Sequence, residues 1–465
     1  MRAPVPARLN ALLYLTGFAG LGALLLLIGG ALFYRSLLHY QINYNEGWNA
    51  YTTARVLDGL PLYPDRSSRL VNNYPPLSFY ITALLAKLTG SVLAAGRAIA
   101  WCAYIACAAL IGCILRVMSA GRAAAWLGAL FFAAALATRC DLYVGMFDPQ
   151  LLGQALMLGG LLLLLARPGL GGTIGAAALV VAGGFVKHSL IALPISITLW
   201  LLLYRRRQAL TWLLAGAGFA AAGLAISLAA FGHGFIAGLL LPRQTSWAEA
   251  LRKLLRWLLP LELPCVLATL PLIGGGPFPA FVGLFIAVSL GAAFLGAAPL
   301  ATNYNMIFEL LAAVSLGLGL LAGGAGLRVA GGWVATACAA CLWITALLLA
   351  TAETSSPQRW LAVQRARDAD ARAAVALIRA APGPALCGTL LLCFEAGKPL
   401  LFDPLNFGQI PGENQSSLRT DVNNKAFGII QLDPENLYFT QATVAAIQAN
   451  YRELLDHPGL LSPLP

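Results

Sequence analysis

Glu46, in the stretch YNEGWNAYTTARVLDGLPLYP (residues 44–64), is an acid just beyond the first long apolar run, preceded by Asn45 and followed by Trp48 and Tyr51. A carboxylate there could take a proton from a hydroxyl; at the start of a helix it could equally do no more than meet the helix dipole. Further clusters stand at the ends of other apolar runs. TRCDLYVGMFDPQ brings Arg139, Asp141 and Asp148 together, and GGFVKHS supplies Lys187 and His188 in a tight turn. LPRQTSWAEALRKLLRW carries Arg243, set apart from the helical face of Arg252, Lys253 and Arg256, and TNYN followed by FE carries Asn303, Asn305 and Glu309. The cations are of the types that hold an anion, and the acids and amides of the types that hold hydroxyls. Each has a bland reading beside it: caps for the acids and for Asn303, snorkelling for Lys187, an ordinary structural ring for His188.

The elements that must position these residues are membrane helices. The 465 residues are 59% hydrophobic and only 11% charged, with mean hydropathy +0.76, far from the composition of a soluble domain. The formal charge of +11 is scattered over the ends of apolar runs, which points to lipid headgroups and anionic ligands and not to nucleic acid. Residues 11–33 are long enough to cross about 30 Å of hydrocarbon without a convincing cleavage site, so the first helix is read as uncleaved. Further spans are expected near 97–117, 123–138, 149–166, 171–186, 189–204, 208–230, 257–274, 278–296, 306–323 and 333–352, roughly eleven in all. With Arg2 and Arg8 in the cytoplasm, Arg116, Arg122, Arg167, Arg205, Arg206, Arg207 and Arg328 all fall on the cytoplasmic side, and the clusters above fall on the other.

Two non-membrane parts remain. The loop 34–96 is too long for a connector and reads as two interfacial helices, 46–58 and 76–89, around a turn rich in Pro and Gly, with Trp48 and Tyr51 as membrane anchors. The tail after about residue 353 reads as a small α/β domain outside the membrane: a helix in RARDADARAAVALIRAAP, two short strands in GPALCGTLLLCFEAGKPLLFD and a helix in TQATVAAIQANYRELL. Cys387 and Cys393 share strand parity and both point into its core, but a disulfide between them is not expected. Cys102, Cys107, Cys113, Cys140, Cys265, Cys338 and Cys341 lie in or beside apolar segments and form no disulfide framework or zinc site.

The acid at the start of the first external helix, then AYTTARVLDGLPLYPD and NNYPPLSFYITALLAKLTG, resembles the first loop of the GT-C superfamily of membrane glycosyltransferases. The bacterial relatives of protein O-mannosyltransferase and of the lipid A aminoarabinose transferase are close comparisons. The similarity extends to VKHSLIALPISITLWLLLYRRR (186–207), ATNYNMIFELLAAVSLGLGL (301–320), and GKPLLFDPLNFGQI and FTQATVAAIQANYRE in the tail. The resemblance implies a polytopic, mainly α-helical bundle over 1–352, an external α/β unit over 353–465, and transfer of a sugar from a polyprenyl-phosphate donor to an envelope glycan, lipid or protein. The resemblance implies an acidic base in this loop: Asn45 stands where many relatives carry the aspartate, and Glu46 either takes over as general base, the reading favoured here, or plays only the second acid's supporting role. Read from the residues themselves, Arg139, Lys187, His188 and Arg243 are the candidates to hold the donor phosphate, and Asp141, Asp148, Asn303, Asn305 and Tyr74 to contact the substrates. A divalent metal is compatible with acids near phosphate, but no ligand spacing specifies one. A non-catalytic subunit of a polysaccharide assembly system is the alternative, since Asn45 departs from the acidic pattern. A secondary transporter is a further one, although neither repeats nor midplane charges are seen.

In intact cells of a bacterial host, cysteines introduced in 60–72 and after 400 are expected to react with an impermeant maleimide, while one beside Arg206 stays protected. Protection of the tail would invert the orientation.

Overall fold

The computed structural model of the chain describes residues 7–324, 357–433, 439–455 and 457–464, and these are mainly helical. The first helix, α1 (Ala7–Ser36), is followed by α2 (Tyr44–Leu57) and α3 (Leu77–Thr89), the two helices of the first loop. Asn43 caps α2 by accepting from the Asn45 N–H, and Gly90, at φ +72°, closes α3 in the left-handed conformation that glycine adopts most readily. Then come α4 (Val92–Val117), α5 (Arg122–Arg139), α6 (Gln150–Ala166), α7 (Leu170–Val186), α8 (Ala192–Tyr204) and α9 (Arg206–Phe231). The bundle continues through α10 (His233–Leu239), α11 (Trp247–Leu258), α12 (Glu262–Thr269), α13 (Pro277–Ala297) and α14 (Phe308–Ala322).

Six stretches among the described residues are long and apolar enough to cross a membrane: Leu15–Ser36, Val92–Val117, Arg206–Phe231, Trp247–Gly274, Pro277–Ala297 and Tyr304–Ala322. Four shorter apolar helices, α3, α6, α7 and α8, stand beside them. The expected span 333–352, with Cys338, Cys341 and Arg328, lies outside the described residues. Helix α14 is the centre of the bundle, buried from Phe308 to Leu321. Small residues set the helix spacing where side chains would not fit: a Cβ on Gly183 of α7 would stand 2.8 Å from the Gly153 carbonyl of α6, and one on Gly160 would stand 2.8 Å from the Ala176 carbonyl. Close backbone approach of this kind replaces the hydrophobic drive that lipid cannot supply between helices.

The first loop departs from its interfacial reading. Trp48 and Tyr51 are 3% and 8% exposed, and α2 is buried at nine of its 14 positions. Trp48 packs edge-on against Tyr74 and Phe79, and Tyr51 against Phe394. Their partners are protein, not lipid, because the tail folds down over α2.

The tail comprises α15 (Pro357–Ala380), β1 (Ala385–Cys387), α16 (Leu390–Glu395), α17 (Pro404–Gly408), α18 (Ser416–Asn423), β2 (Ile429–Gln431), α19 (Gln441–Asn450), β3 (Tyr451–Leu454) and β4 (His457–Pro463). Its sheet has the order β1-β2-β4-β3, parallel between β1 and β2 and antiparallel elsewhere. Two expectations are corrected here. The second of the two strands expected in GPALCGTLLLCFEAGKPLLFD is the helix α16, since Leu390, Leu391, Leu392 and Cys393 are buried in succession without strand alternation. Cys387 and Cys393 form a disulfide, with Cα atoms 6.0 Å apart, because that helical turn swings Cys393 back over the end of β1. The tail closes tightly on α2: a Cβ on Gly47 would meet the Leu391 nitrogen at 2.5 Å, and the Leu391 N–H donates to Gln41 Oε1 at 2.9 Å.

Candidate active site

Between the bundle and the tail lies a cavity of about 950 Å³. Its walls come from the start of α2, the NNYPP turn, the turn after α7, the segment 241–245 before α11, the 296–306 turn, and residues 404–409 of the tail. Lys187 caps the C-terminus of α7, where a cation meets the negative end of the dipole. Its ammonium sits 3.4 Å over the centre of the Tyr74 ring and 3.9 Å from Asp148 Oδ2. Burial pushes the Lys187 ammonium down to about 8, against the pull of Asp148 and with the help of Arg243.

Arg243 lies in the same wall, half-buried, and among the described residues it has no hydrogen-bond or ion-pair partner. Burial lowers its guanidinium from the ordinary range, partly offset by Tyr74 and Asp403, without bringing an arginine near neutrality. His188 lines the cavity beside Lys187.

Asp148 stands one layer behind the wall. Its Oδ2 accepts from Asn45 Nδ2 at 3.1 Å and its Oδ1 from the Gln150 N–H at 2.8 Å, at the start of α6 where a carboxylate is favoured. Asn45 lines the cavity directly. Asn305 accepts from the Tyr143 hydroxyl at 3.1 Å and donates to Gln150 Oε1 at 3.3 Å, so these amides form one network beneath the cavity. Asn303 lines the wall while its Oδ1 caps the Tyr304 N–H, so the capping reading holds for that oxygen.

Three of the expected site residues are elsewhere. Arg139 and Asp141 do not line the cavity, and Asp141 pairs instead with Arg35 at 3.2 Å. Glu46 is 0% exposed and does not line it either. Its Oε1 accepts from Arg97 Nε at 2.8 Å and the Phe147 N–H at 3.1 Å; its Oε2 accepts from Arg97 Nη2 at 2.7 Å and the Ile42 N–H at 2.8 Å. The remaining donors of Arg97 go to the Ser36, Leu38 and Tyr40 carbonyls. Four donors on one carboxylate occupy its lone pairs and leave none for a substrate proton.

The structure adds residues the sequence did not single out. Tyr143, Ser189, Asn73, Asn406 and Gln409 line the cavity. Asp403, fully buried, accepts from the Tyr44 hydroxyl and from Asn406 Nδ2, and Asn406 Oδ1 accepts from Asn73 Nδ2. These lining residues, Tyr143 apart, also lie in the motifs that carry the resemblance, Asn73 in NNYPPLSFYITALLAKLTG, Ser189 in VKHSLIALPISITLWLLLYRRR, and Asn406 and Gln409 in GKPLLFDPLNFGQI, but nothing in the sequence shows that the tail docks Asn406 and Gln409 against this wall. Among the described residues no carboxylate lines the cavity, and no group of three His, Cys, Asp or Glu side chains could share a metal ion.

No family model matches the chain, and no curated protein matches it in sequence. Its fold does match solved structures. ArnT from Cupriavidus metallidurans bound to undecaprenyl phosphate superposes with TM-score 0.62 over 95% of this chain and 97% of that one, at 13% identity. ArnT from the same organism in the apo state gives 0.61 over 95% and 98%, at 12% identity. The chain therefore shares the overall fold of these two ArnT structures, at 12–13% identity.

The Glu46–Arg97 pair yields a test of structure separate from chemistry. Glu46→Ala strands a buried guanidinium and is expected to cost about 3–5 kcal/mol of stability, seen as a lower thermal midpoint in detergent, whereas Glu46→Leu with Arg97→Leu recovers much of the loss. A stable but inactive Glu46→Ala protein would instead return Glu46 to the chemistry.

Proposed function

We propose that this chain, with its GT-C fold, is a membrane glycosyltransferase that moves a sugar from a polyprenyl-phosphate donor to an acceptor of the cell envelope. The observation that carries the reading is Arg243: a guanidinium with no hydrogen-bond or ion-pair partner among the described residues, in the same cavity wall as the buried ammonium of Lys187. Buried cations need anions, and a phosphate is the anion that the donor would lose. That ArnT has been solved with undecaprenyl phosphate supports the choice of lipid.

In the proposed reaction the acceptor oxygen forms a bond to the anomeric carbon while the bond from that carbon to the phosphate oxygen breaks. The phosphate leaves with the electron pair, and Lys187 and Arg243 stabilise its growing charge. Where the acceptor is a hydroxyl, its proton goes to Asp148, a carboxylate one layer behind the wall and in contact with the lining residues Asn45 and Lys187. Glu46 keeps a supporting role by fixing α2. Asn303 and Asn305 offer amides to the sugar and the acceptor. The Cys387–Cys393 disulfide belongs in an oxidising compartment, which favours the tail on the periplasmic side of the inner membrane, with Arg205, Arg206 and Arg207 facing the cytoplasm.

A non-catalytic assembly subunit remains the second reading, favoured by the missing lining carboxylate. Both readings meet one experiment, transfer by purified protein from a synthetic undecaprenyl-phosphate sugar to an envelope extract. Asp148→Asn is expected to lower transfer by about 10²-fold or more while undecaprenyl phosphate still binds. Binding without transfer in the parent protein would favour the subunit reading; undiminished transfer by Asp148→Asn would place the base elsewhere.

Lys187 also gives a pH dependence. Its folded-state value, lowered to about 8, keeps it cationic at neutral pH and neutral above, so affinity for undecaprenyl phosphate should be full near pH 7 and fall through pH 8. The fall approaches about tenfold per pH unit where this proton controls binding. Lys187→Gln should weaken binding by about 1.5–3 kcal/mol and flatten the profile. A parent profile flat from pH 7 to 9 would remove Lys187 from the phosphate.

A further inference from the structure

Helix α11 (Trp247–Leu258) lies outside the cavity and has no part in the proposed reaction, yet it is built unlike the other helices of the bundle. Ser246 caps it by accepting from the Glu249 N–H, so its start is well defined. At 100° per residue its side chains divide into three arcs. Ala250 and Leu254 are buried, with Ala250 packed on Ala297 and Ala298 at the end of α13. Trp247, Leu251 and Leu255, spaced by four, form an apolar stripe that is 57%, 50% and 61% exposed, and Leu259 extends it. Arg252 and Arg256 occupy the arc beyond, both exposed.

An apolar stripe flanked by arginines, with the third arc fixed to protein, fits one environment: the boundary between acyl chains and anionic headgroups. Glu249, Arg252, Lys253 and Arg256 within 12 residues bar α11 from the hydrocarbon itself, so the part of Trp247–Gly274 apolar enough to cross it is 257–274, which carries one charge. The large exposed apolar residues make α11 a poor surface for water. We propose that α11 is an in-plane anchor that docks on anionic phospholipid headgroups through Arg252 and Arg256. The anchor is not remote from the cavity. Lys253, on the protein side, donates to the Pro299 and Leu300 carbonyls at 2.9 and 2.8 Å, which belong to the cavity wall. The strand-like segment leading into α11 donates from Ser246 N to the Ala298 carbonyl at 2.9 Å, accepts at the Gln244 carbonyl from Leu300 N at 3.1 Å, and carries Arg243. The depth of α11 in the interface is therefore also the depth of that wall. The proposal does not rest on the identity of the reaction.

Trp247 reports directly. One of its faces stacks on Phe294 at 5.7 Å between ring centres, which holds the indole at a fixed place. The full chain is reconstituted in phosphatidylcholine vesicles containing a minor fraction of either brominated phosphatidylglycerol or brominated phosphatidylcholine, and the Trp247 signal is taken as the difference from Trp247→Phe. Brominated phosphatidylglycerol is expected to quench Trp247 preferentially, with about fivefold in relative affinity from each arginine. Arg252→Gln with Arg256→Gln should abolish the preference, while Arg252→Lys with Arg256→Lys should keep it, which separates charge from packing. Equal quenching by the two lipids in the parent, or a preference that survives the Gln pair, overturns the proposal. Transfer and undecaprenyl phosphate binding do not enter this measurement, so a failure of the glycosyltransferase reading leaves it intact.

Discussion

A buried ion pair, Glu46 with Arg97, is the constraint from which the rest of the site follows. Taking both charges out of water costs several kcal/mol each, and the cost is offset only because every polar hydrogen and lone pair involved finds a partner. Arg97 reaches from α4 to the carbonyls of Ser36, Leu38 and Tyr40 just after α1, and Glu46 reaches from α2 to the Phe147 N–H. Four separate parts of the chain are thereby fixed around one guanidinium. Asn45 and Asp148, each one residue away from a member of this cluster, have no freedom to move apart, and their 3.1 Å contact is its direct product.

The cavity itself is made by two bodies with different physics. The bundle contributes the cations, Lys187 at the C-terminal end of α7 and Arg243 in the extended segment before α11. The tail contributes amides, through α17, and it reaches the bundle by polar contacts that depend on α2 being where the ion pair puts it: Tyr44 hydroxyl to Asp403 at 2.7 Å, Tyr51 hydroxyl to the Lys398 carbonyl at 2.7 Å, and Leu391 N–H to Gln41 at 2.9 Å. The disulfide holds α16 against β1 and so keeps Leu390 and Leu391 pressed on Gly47. The cations thus line the cavity from the bundle side, while amides line it from both sides.

What was legible in the sequence was what period and charge encode. The helices of the first loop stand at 44–57 and 77–89, close to the expected 46–58 and 76–89, because Asn43, Pro76 and Gly90 mark their ends locally. Lys187, His188, Arg243, Asn303 and Asn305 were visible as polar groups at the ends of apolar runs, and all of them line the cavity. Glu46 was visible as an exceptional acid, but its partner Arg97 lies 51 residues away inside an apolar helix, where nothing local announces the pairing. Trp48 and Tyr51 have the composition of membrane anchors and become protein anchors because Trp48 packs on Tyr74 and Phe79 of the same loop and Tyr51 on Phe394 of α16. The strand expected where α16 forms failed for a related reason: a short, wholly buried run reads alike as helix or strand until the sheet around it is known.

The amide at position 45 then has a physical sense. A carboxylate there would stand about 3 Å from that of Asp148, a separation at which two like charges cannot both ionise, and it would do so beside a Glu46 already committed to Arg97. Lys187 alone would have to answer both, at 3.9 Å and with its own charge weakened by burial. With Asn45 in place the amide donates to Asp148, one carboxylate faces one ammonium, and the cavity keeps the excess positive charge of Arg243. The acid that position 45 lacks would cancel part of that charge, so the amide keeps this wall of the cavity cationic.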